Sequence, residues 1–182
     1  MPNYRRAFVD NHYIFITTVT YKRNPILVEN IKLLRESFKK AKEHYCFDIY
    51  AAVILPDHIH LIIQPEVIKS YPKIIAAVKW YFSKHIDSEY INNVKDKLSA
   101  SKLKRQEKGV WQRRYWEHTI RNEEELNNYL DYIHYNPVKH GYVNNVKDWK
   151  HSSFHKFVKD KIYDENWGSF EDIKHIQNLV AE

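Results

Sequence analysis

A chain of 182 residues with 43% hydrophobic side chains is long enough for one domain with a sizeable core. Three glycines and a single cysteine, Cys46, exclude a glycine-rich phosphate loop, an internal disulfide and a cysteine-built zinc site. The net charge of +6 and 15% aromatic content fit two descriptions: a protein that meets a polyanion with rings for unpaired bases, or a basic protein with a tyrosine-rich core. No apolar run reaches the length of a membrane span and MPNYRRAFVD lacks a signal-peptide core, so the expectation is a soluble cytoplasmic protein with no membrane partner.

HYIFITTVT (12–20), β-branched and aromatic, reads as a strand. ENIKLLRESFKKAKEHY (29–45) places Ile31, Leu34, Phe38, Ala41 and Tyr45 at helical spacing, with Lys and Arg on the other faces. FDIYAAVIL (47–55) is a second strand, and Pro56-Asp57 turns it into a third, LPDHIHLIIQP (55–65). A helix is expected from about Tyr71 to Asp87, carrying Ile74, Ile75, Val78 and Phe82. Segment 95–109, KDKLSASKLKRQEKG, holds six Lys/Arg against two acids without an apolar period, and reads as a basic loop. YWEHTIR (115–121) is a fourth strand; NEEELNNYLDYIHYN (122–136) is a helix with acids in its first turn, where the helix dipole favours them. Beyond about Lys159 the pattern weakens, with a small helix expected at 170–180.

This order predicts an α+β fold, the ferredoxin-like βαββαβ arrangement: an antiparallel sheet with two helices on one face, plus an additional C-terminal helix. The expected division is a domain over residues 1–160 and an extension over 161–182.

His58 and His60 interrupt the apolar third strand. Residues i and i+2 of a strand share a face, so the two imidazoles point one way and Ile59, Leu61 and Ile63 the other. Such a pair can hold a divalent metal, or can simply be polar residues at the wet edge of a sheet. With 11 histidines, about 0.7 such pairs are expected by chance. In the helix 122–136, Leu126, Leu130 and Ile133 form the buried stripe, with Tyr129, Tyr132 and Asn136 on its flank and Tyr135 toward solvent. Tyr132 and Asn136, at i and i+4, then stand at the margin of core and water, where a site could form. The plainer alternative is that Tyr132 pads the helix–sheet contact. Pro137, for its part, biases Asn136 away from helical dihedrals.

Five blocks now resemble a known family in their joint order and spacing: YRR (4–6), LPDHIHLI (55–62), VWQRRYWEHTIRNEEEL (110–126), YLDYIHYNPVKHGYV (129–143) and DWKHSSFHKFV (148–158). The chain resembles the REP-associated tyrosine transposases, a branch of the single-tyrosine HUH transposases of small bacterial insertion sequences. The resemblance implies a ferredoxin-like fold, and cleavage and rejoining of single-stranded DNA beside imperfect hairpins, the repetitive extragenic palindromes. It implies that His58 and His60 are the metal-holding pair, that Tyr132 is the nucleophile, and that Asn136 is a third, amide ligand. Three neutral ligands suit weakly held Mg²⁺ or Mn²⁺, completed by the DNA phosphate, better than a permanent zinc. Attack by Tyr132 would leave a 5′-phosphotyrosine and a free 3′-OH, a step that a second 3′-OH reverses without ATP. A monomer or a homodimer is expected. The basic segment 95–109 is longer than the family pattern.

For DNA contacts, Arg5 and Arg6 are candidates, as are Lys102, Lys104 and Arg105, whose lysine-rich, ring-poor segment suits phosphates. Trp111, Arg113 and Arg114 mix a ring with guanidinium groups and suit unpaired bases or the hairpin base. His118 and His134 are further candidates for the site, with nothing local to fix their direction, and Asp57 reads as a turn residue. Two other classes fit part of the pattern: a non-catalytic protein binding hairpins or single-stranded nucleic acid, and a metal-dependent hydrolase. The first leaves the His pair unexplained; the second lacks a carboxylate cluster.

Overall fold

The structure, a computed structural model, describes residues 12–95, 108–177 and 179. Four strands, β1 (Ile14–Val19), β2 (Phe47–Ile54), β3 (His58–Pro65) and β4 (Trp116–Thr119), form one antiparallel sheet in the order β2-β3-β1-β4. Helix α1 (Ile31–Lys42) links β1 to β2, while α2 (Tyr71–His85) and α3 (Ser88–Lys95) follow β3. After β4 come α4 (Glu123–Lys139), α5 (Phe154–Lys159) and α6 (Phe170–Ile173). The expected ferredoxin-like arrangement is present, with α3 as an added helix of about two turns that the sequence reading did not foresee. Among the described residues no helix is long and apolar enough to cross a membrane.

Strand alternation divides the core in two. Ile14, Ile16, Ile59, Leu61 and Ile63 project to one face and pack under Leu34 of α1 and Ile74, Ile75, Val78 and Phe82 of α2. Phe15, Ala51, Val53 and Ile62 project to the other, against Tyr129, Leu130, Tyr132 and Ile133 of α4 and against Phe157, Ile173 and Ile176. The histidines therefore lie under α4, on the face away from α1 and α2. The same register puts Thr17 opposite His60 and Val19 opposite His58.

Helix α4 begins at Asn122, whose side chain accepts the Glu125 backbone N–H at 2.8 Å. It runs through Pro137, three residues past where the sequence reading ended it, and Asn136 stays helical and buried. A proline this near the C-terminus sacrifices only one helical bond. Gly141, at φ +70°, then closes the helix: its N–H bonds to Val138 and that of Tyr142 to Pro137, the paired bonds of a Schellman turn.

The chain after α4 folds back over the helix and along the sheet. Residues 151–153 run beside β2, with Ile54 N–H bonded to His151 O at 2.9 Å and Ser153 N–H to Ala52 O at 2.8 Å. That edge is thereby covered. The outer side of α4 is covered too: His134 bonds through Nε2 to the Ser153 hydroxyl at 2.9 Å and packs its ring against Phe154, Phe157 and Tyr163. Tyr135, expected in solvent, is half-buried for the same reason.

Burial, with a smaller contribution from His155, pushes the His134 imidazole down to about 3. A histidine folded in the neutral form binds fewer protons than the unfolded chain, so stability falls as pH drops below the unfolded value near 6.5 and keeps falling toward 3. At pH 5 this should cost about 2 kcal/mol relative to pH 7. Denaturant unfolding of wild type and His134→Gln at both pH values checks it: the glutamine variant, with an amide donor for Ser153 and no titration, should lose correspondingly less stability.

Candidate active site under the fourth helix

The site is built from the start of β3 upward. Both histidines are fully buried, and each ring is oriented through Nδ1. His58 Nδ1 lies 2.6 Å from Asp57 Oδ1, and His60 Nδ1 lies 2.8 Å from the Thr17 hydroxyl. An ionised carboxylate only accepts, so the neutral form of His58 carries its proton on Nδ1 and leaves its lone pair at Nε2. Arg23 Nη1 reaches the other Asp57 oxygen at 3.0 Å. Lys22 and Arg23 adopt φ of 54° and 53°, a left-handed conformation costing non-glycine residues about 1–3 kcal/mol each, and this turn delivers the guanidinium to Asp57. Burial raises the Asp57 carboxyl, but hydrogen bonds and charge from His58 and then Arg23 outweigh it and hold the group below the usual carboxylate range. The Thr20 backbone and hydroxyl both donate to Asp57 O, at 2.8 and 2.9 Å, so the turn before His58 is fixed at two points.

Over this pair sits α4. The His58 and His60 rings are 4.9 Å apart, and the Tyr132 ring is 5.2 Å from His60. Asn136, one turn on, is fully buried with neither its Oδ1 nor its Nδ2 hydrogen-bonded; His58 Nε2 is likewise buried without a hydrogen bond. Buried polar atoms left this way cost about 1–3 kcal/mol each, and a cluster of them beside a phenol marks a site built for something that arrives. Lys139, i+7 from Tyr132, lays its Nζ 4.7 Å over the phenol ring and 3.4 Å from Oη, to which it donates. His140 stands 5.0 Å from His58.

Tyr132 is only 2% exposed, so it lies deeper than the margin position suggested by the helical wheel. Burial foremost, with Glu125 adding, pushes the Tyr129 phenol up to about 12, away from use as a nucleophile.

The remaining candidates disperse. His118 bonds to Glu125 at 3.1 Å with its ring tilted against Tyr129, and His134 faces the C-terminal segment, so neither joins the His58–His60 cluster. Arg113 and Arg114 are exposed; Trp111 is 8% exposed, its ring set edge-on to Phe82. Its ring packs mainly into the core, with Lys79 Nζ 5.8 Å over it. Arg5, Arg6, Lys102, Lys104 and Arg105 lie outside the described residues. Sequence reasoning missed Thr17, Lys139 and His140, and it gave Asp57 only a turn. For Asp57 the signal was its place directly before the first histidine; for Thr17 there was none without the strand register.

Known proteins resemble this chain along most of its length. The family described as "Transposase IS200 like" matches residues 8–136. A Haemophilus influenzae protein classed with the REP-associated tyrosine transposases is 46% identical over 176 residues, spanning 96% of this chain and 97% of its own. The REP-associated tyrosine transposase of Escherichia coli strain K12 is 32% identical over 184 residues, covering all of both. A solved structure of a REP-associated tyrosine transposase bound to a REP hairpin is similar at a TM-score of 0.77 and 30% identity, over 100% of this chain and 96% of that one.

Proposed function

This chain belongs to the IS200-like transposases and among them to the REP-associated tyrosine transposases, enzymes that cleave and rejoin DNA strands, and on that premise we propose that Tyr132 is its nucleophile, acting on single-stranded DNA beside a REP-type hairpin. The observation that carries this reading is the group of buried polar atoms left unbonded near the phenol: His58 Nε2, with the His60 ring between His58 and Tyr132, and the amide of Asn136, one helical turn from Tyr132. The hairpin substrate is supported by the relative solved with a REP hairpin, which is similar along the whole chain.

The same group fits a divalent cation. The protein ligands would be His58 and His60, with the buried, unbonded Asn136 amide oxygen as the third. Neutral ligands of this kind leave positions for water and a DNA phosphate oxygen, which suits Mg²⁺ or Mn²⁺. Such an ion, when bound, polarises the scissile phosphate and stabilises charge on its oxygens. Asp57 and Thr17 hold the two rings from behind, the outer contacts that keep an imidazole aimed.

Attack by Tyr132 Oη on phosphorus forms a tyrosyl–phosphate bond as the bond to O3′ breaks. The phenol gives up one proton and the departing O3′ gains one, so the step is balanced, and a 3′-OH can reverse it. An ordinary phenol with a pKa near 10 is a poor nucleophile at neutral pH. The Lys139 ammonium at Oη stabilises the phenolate as it forms and again as it departs during rejoining.

The test is covalent chemistry: labelled hairpin DNA with an unpaired flank should yield a protein–DNA band that survives denaturation, which a non-catalytic binding protein cannot produce. Lys139→Gln should bind that DNA nearly as well yet form the adduct about 100-fold more slowly, the scale of removing one charge-stabilising donor. Single-turnover rates over a pH series check this. The defect should shrink as rising pH supplies phenolate, and a pH-independent loss would make Lys139 merely structural.

A further inference from the structure

On the opposite face of the sheet, a cleft of about 460 Å³ opens between α2 and the segment 108–113. Lys79, Lys84, Lys108 and Arg113 line it, with no carboxylate among the described lining residues, and Trp80 stands at its side with 61% of its surface exposed. Two of the cations are held in place: Lys79 donates to Gln112 O at 2.5 Å and Lys108 to Ser83 O at 3.1 Å, which pins the segment to the helix. Lys84 Nζ lies 4.8 Å over the Trp80 ring. An exposed indole on an amphipathic helix normally turns inward to the core; here Phe82 and Val78 fill the core side and leave Trp80 outside.

The cleft and the histidines share one end of the sheet. Trp111 bridges to Thr20, immediately after β1, and Gln112 N–H bonds to Val19 O at 2.9 Å, while Val19 pairs on its other side with His58. With strands about 4.8 Å apart, the backbone beside the cleft is roughly 10 Å from that of His58. A strand leaving the histidine site needs only to round the sheet's end to reach it.

We propose that this cleft holds the unpaired flank of the DNA, with one base stacked on Trp80 and the phosphates on either side of it held by Lys84 and Arg113. A π-face reads any base, and cations spaced around it follow the backbone, the usual composition of a single-strand platform. The assignment rests on the DNA-cleaving reading given above and adds to it a second contact surface, outside the catalytic face.

Binding measured in a Tyr132→Phe background separates the two, since no adduct can form there whatever the nucleophile's role. Two probes are used: a hairpin with its single-stranded flank, and the same hairpin trimmed blunt. Trp80→Ala should weaken the flanked probe roughly 5- to 150-fold and leave the blunt one nearly unchanged, and Trp80→Phe should restore most of the loss. Lys84→Ala and Arg113→Ala should each flatten log affinity against log salt by about 0.7 for the flanked probe. Unfolding midpoints of the variants should match the parent, because the indole is mostly in water. An unchanged flanked-to-blunt ratio in Trp80→Ala, or an equal loss on both probes, overturns the proposal. So does sedimentation showing that Trp80→Ala converts a dimer to a monomer with flank preference intact, which would give this face to a second copy of the chain.

Discussion

Tyr132→Phe should abolish the covalent adduct while leaving the fold and hairpin binding in place. The substitution removes one oxygen from a side chain that is 2% exposed and keeps the ring contacts with His60 and Phe15. Its lost partner, Lys139, is exposed and recovers water, so the stability cost should stay near or below about 1 kcal/mol. Chemistry has no such reserve, because without Oη there is no atom to bond phosphorus. The comparison that gives the experiment force is with the neighbouring tyrosines. Tyr135→Phe should form the adduct at close to the wild-type rate, since that ring lies under the C-terminal segment. Tyr129→Phe should keep the chemistry also, its phenol being pushed to about 12 by burial and Glu125. Denaturing gels with labelled flanked hairpin read all three. An adduct that persists in Tyr132→Phe and disappears in Tyr135→Phe would mean that the other side of α4 carries the reaction.

The difference between those tyrosines shows where sequence reading reaches and where it stops. Period-two alternation placed His58 and His60 on one face and Ile59, Leu61 and Ile63 on the other, because side-chain direction in a strand is a local property. The order of elements placed α1 and α2 together, since a β-α-β connection leaves little choice of side. The helical wheel of α4 was also correct about its inner stripe. It failed on the outer face, where Tyr135 and His134 are covered by residues 146–176 folding back, a contact between segments with no local signature. Trp111 departs from the base-facing setting expected of it for a related reason. A ring set among arginines looks exposed, but the bridge to Thr20 turns Trp111 inward onto Phe82, and the helical position of Trp80 turns it out. Lys139 was hidden because Pro137 suggested a helix end before it. Only a helix continuing past that proline brings residue 139 two turns above Tyr132.

Removal of the cation, or of either imidazole, should be as damaging as removal of the phenol. Excess EDTA is expected to stop adduct formation by wild-type protein, and added Mg²⁺ or Mn²⁺ to restore it. The argument is electrostatic: an anionic phosphodiester repels an approaching phenolate, and the single ammonium of Lys139 at Oη offsets only part of that repulsion. His58→Ala and His60→Ala should each reduce adduct formation by at least about 100-fold, the loss typical of a single strong charge-stabilising group. Neither change is small for packing, as both rings are fully buried, and His58→Ala also leaves the Asp57 carboxylate with Arg23 as its remaining partner. Folding must therefore be read alongside activity. Far-ultraviolet dichroism and blunt-hairpin binding should survive in both variants, while Mn²⁺ binding followed by electron paramagnetic resonance should weaken strongly in each. Asn136→Ala, which empties the third position without touching the sheet, should weaken Mn²⁺ less than either histidine change, because a neutral amide oxygen is the poorest donor of the three. Full adduct formation in EDTA would remove the cation from the reaction and leave Lys139 to supply all of the positive charge at the phenol.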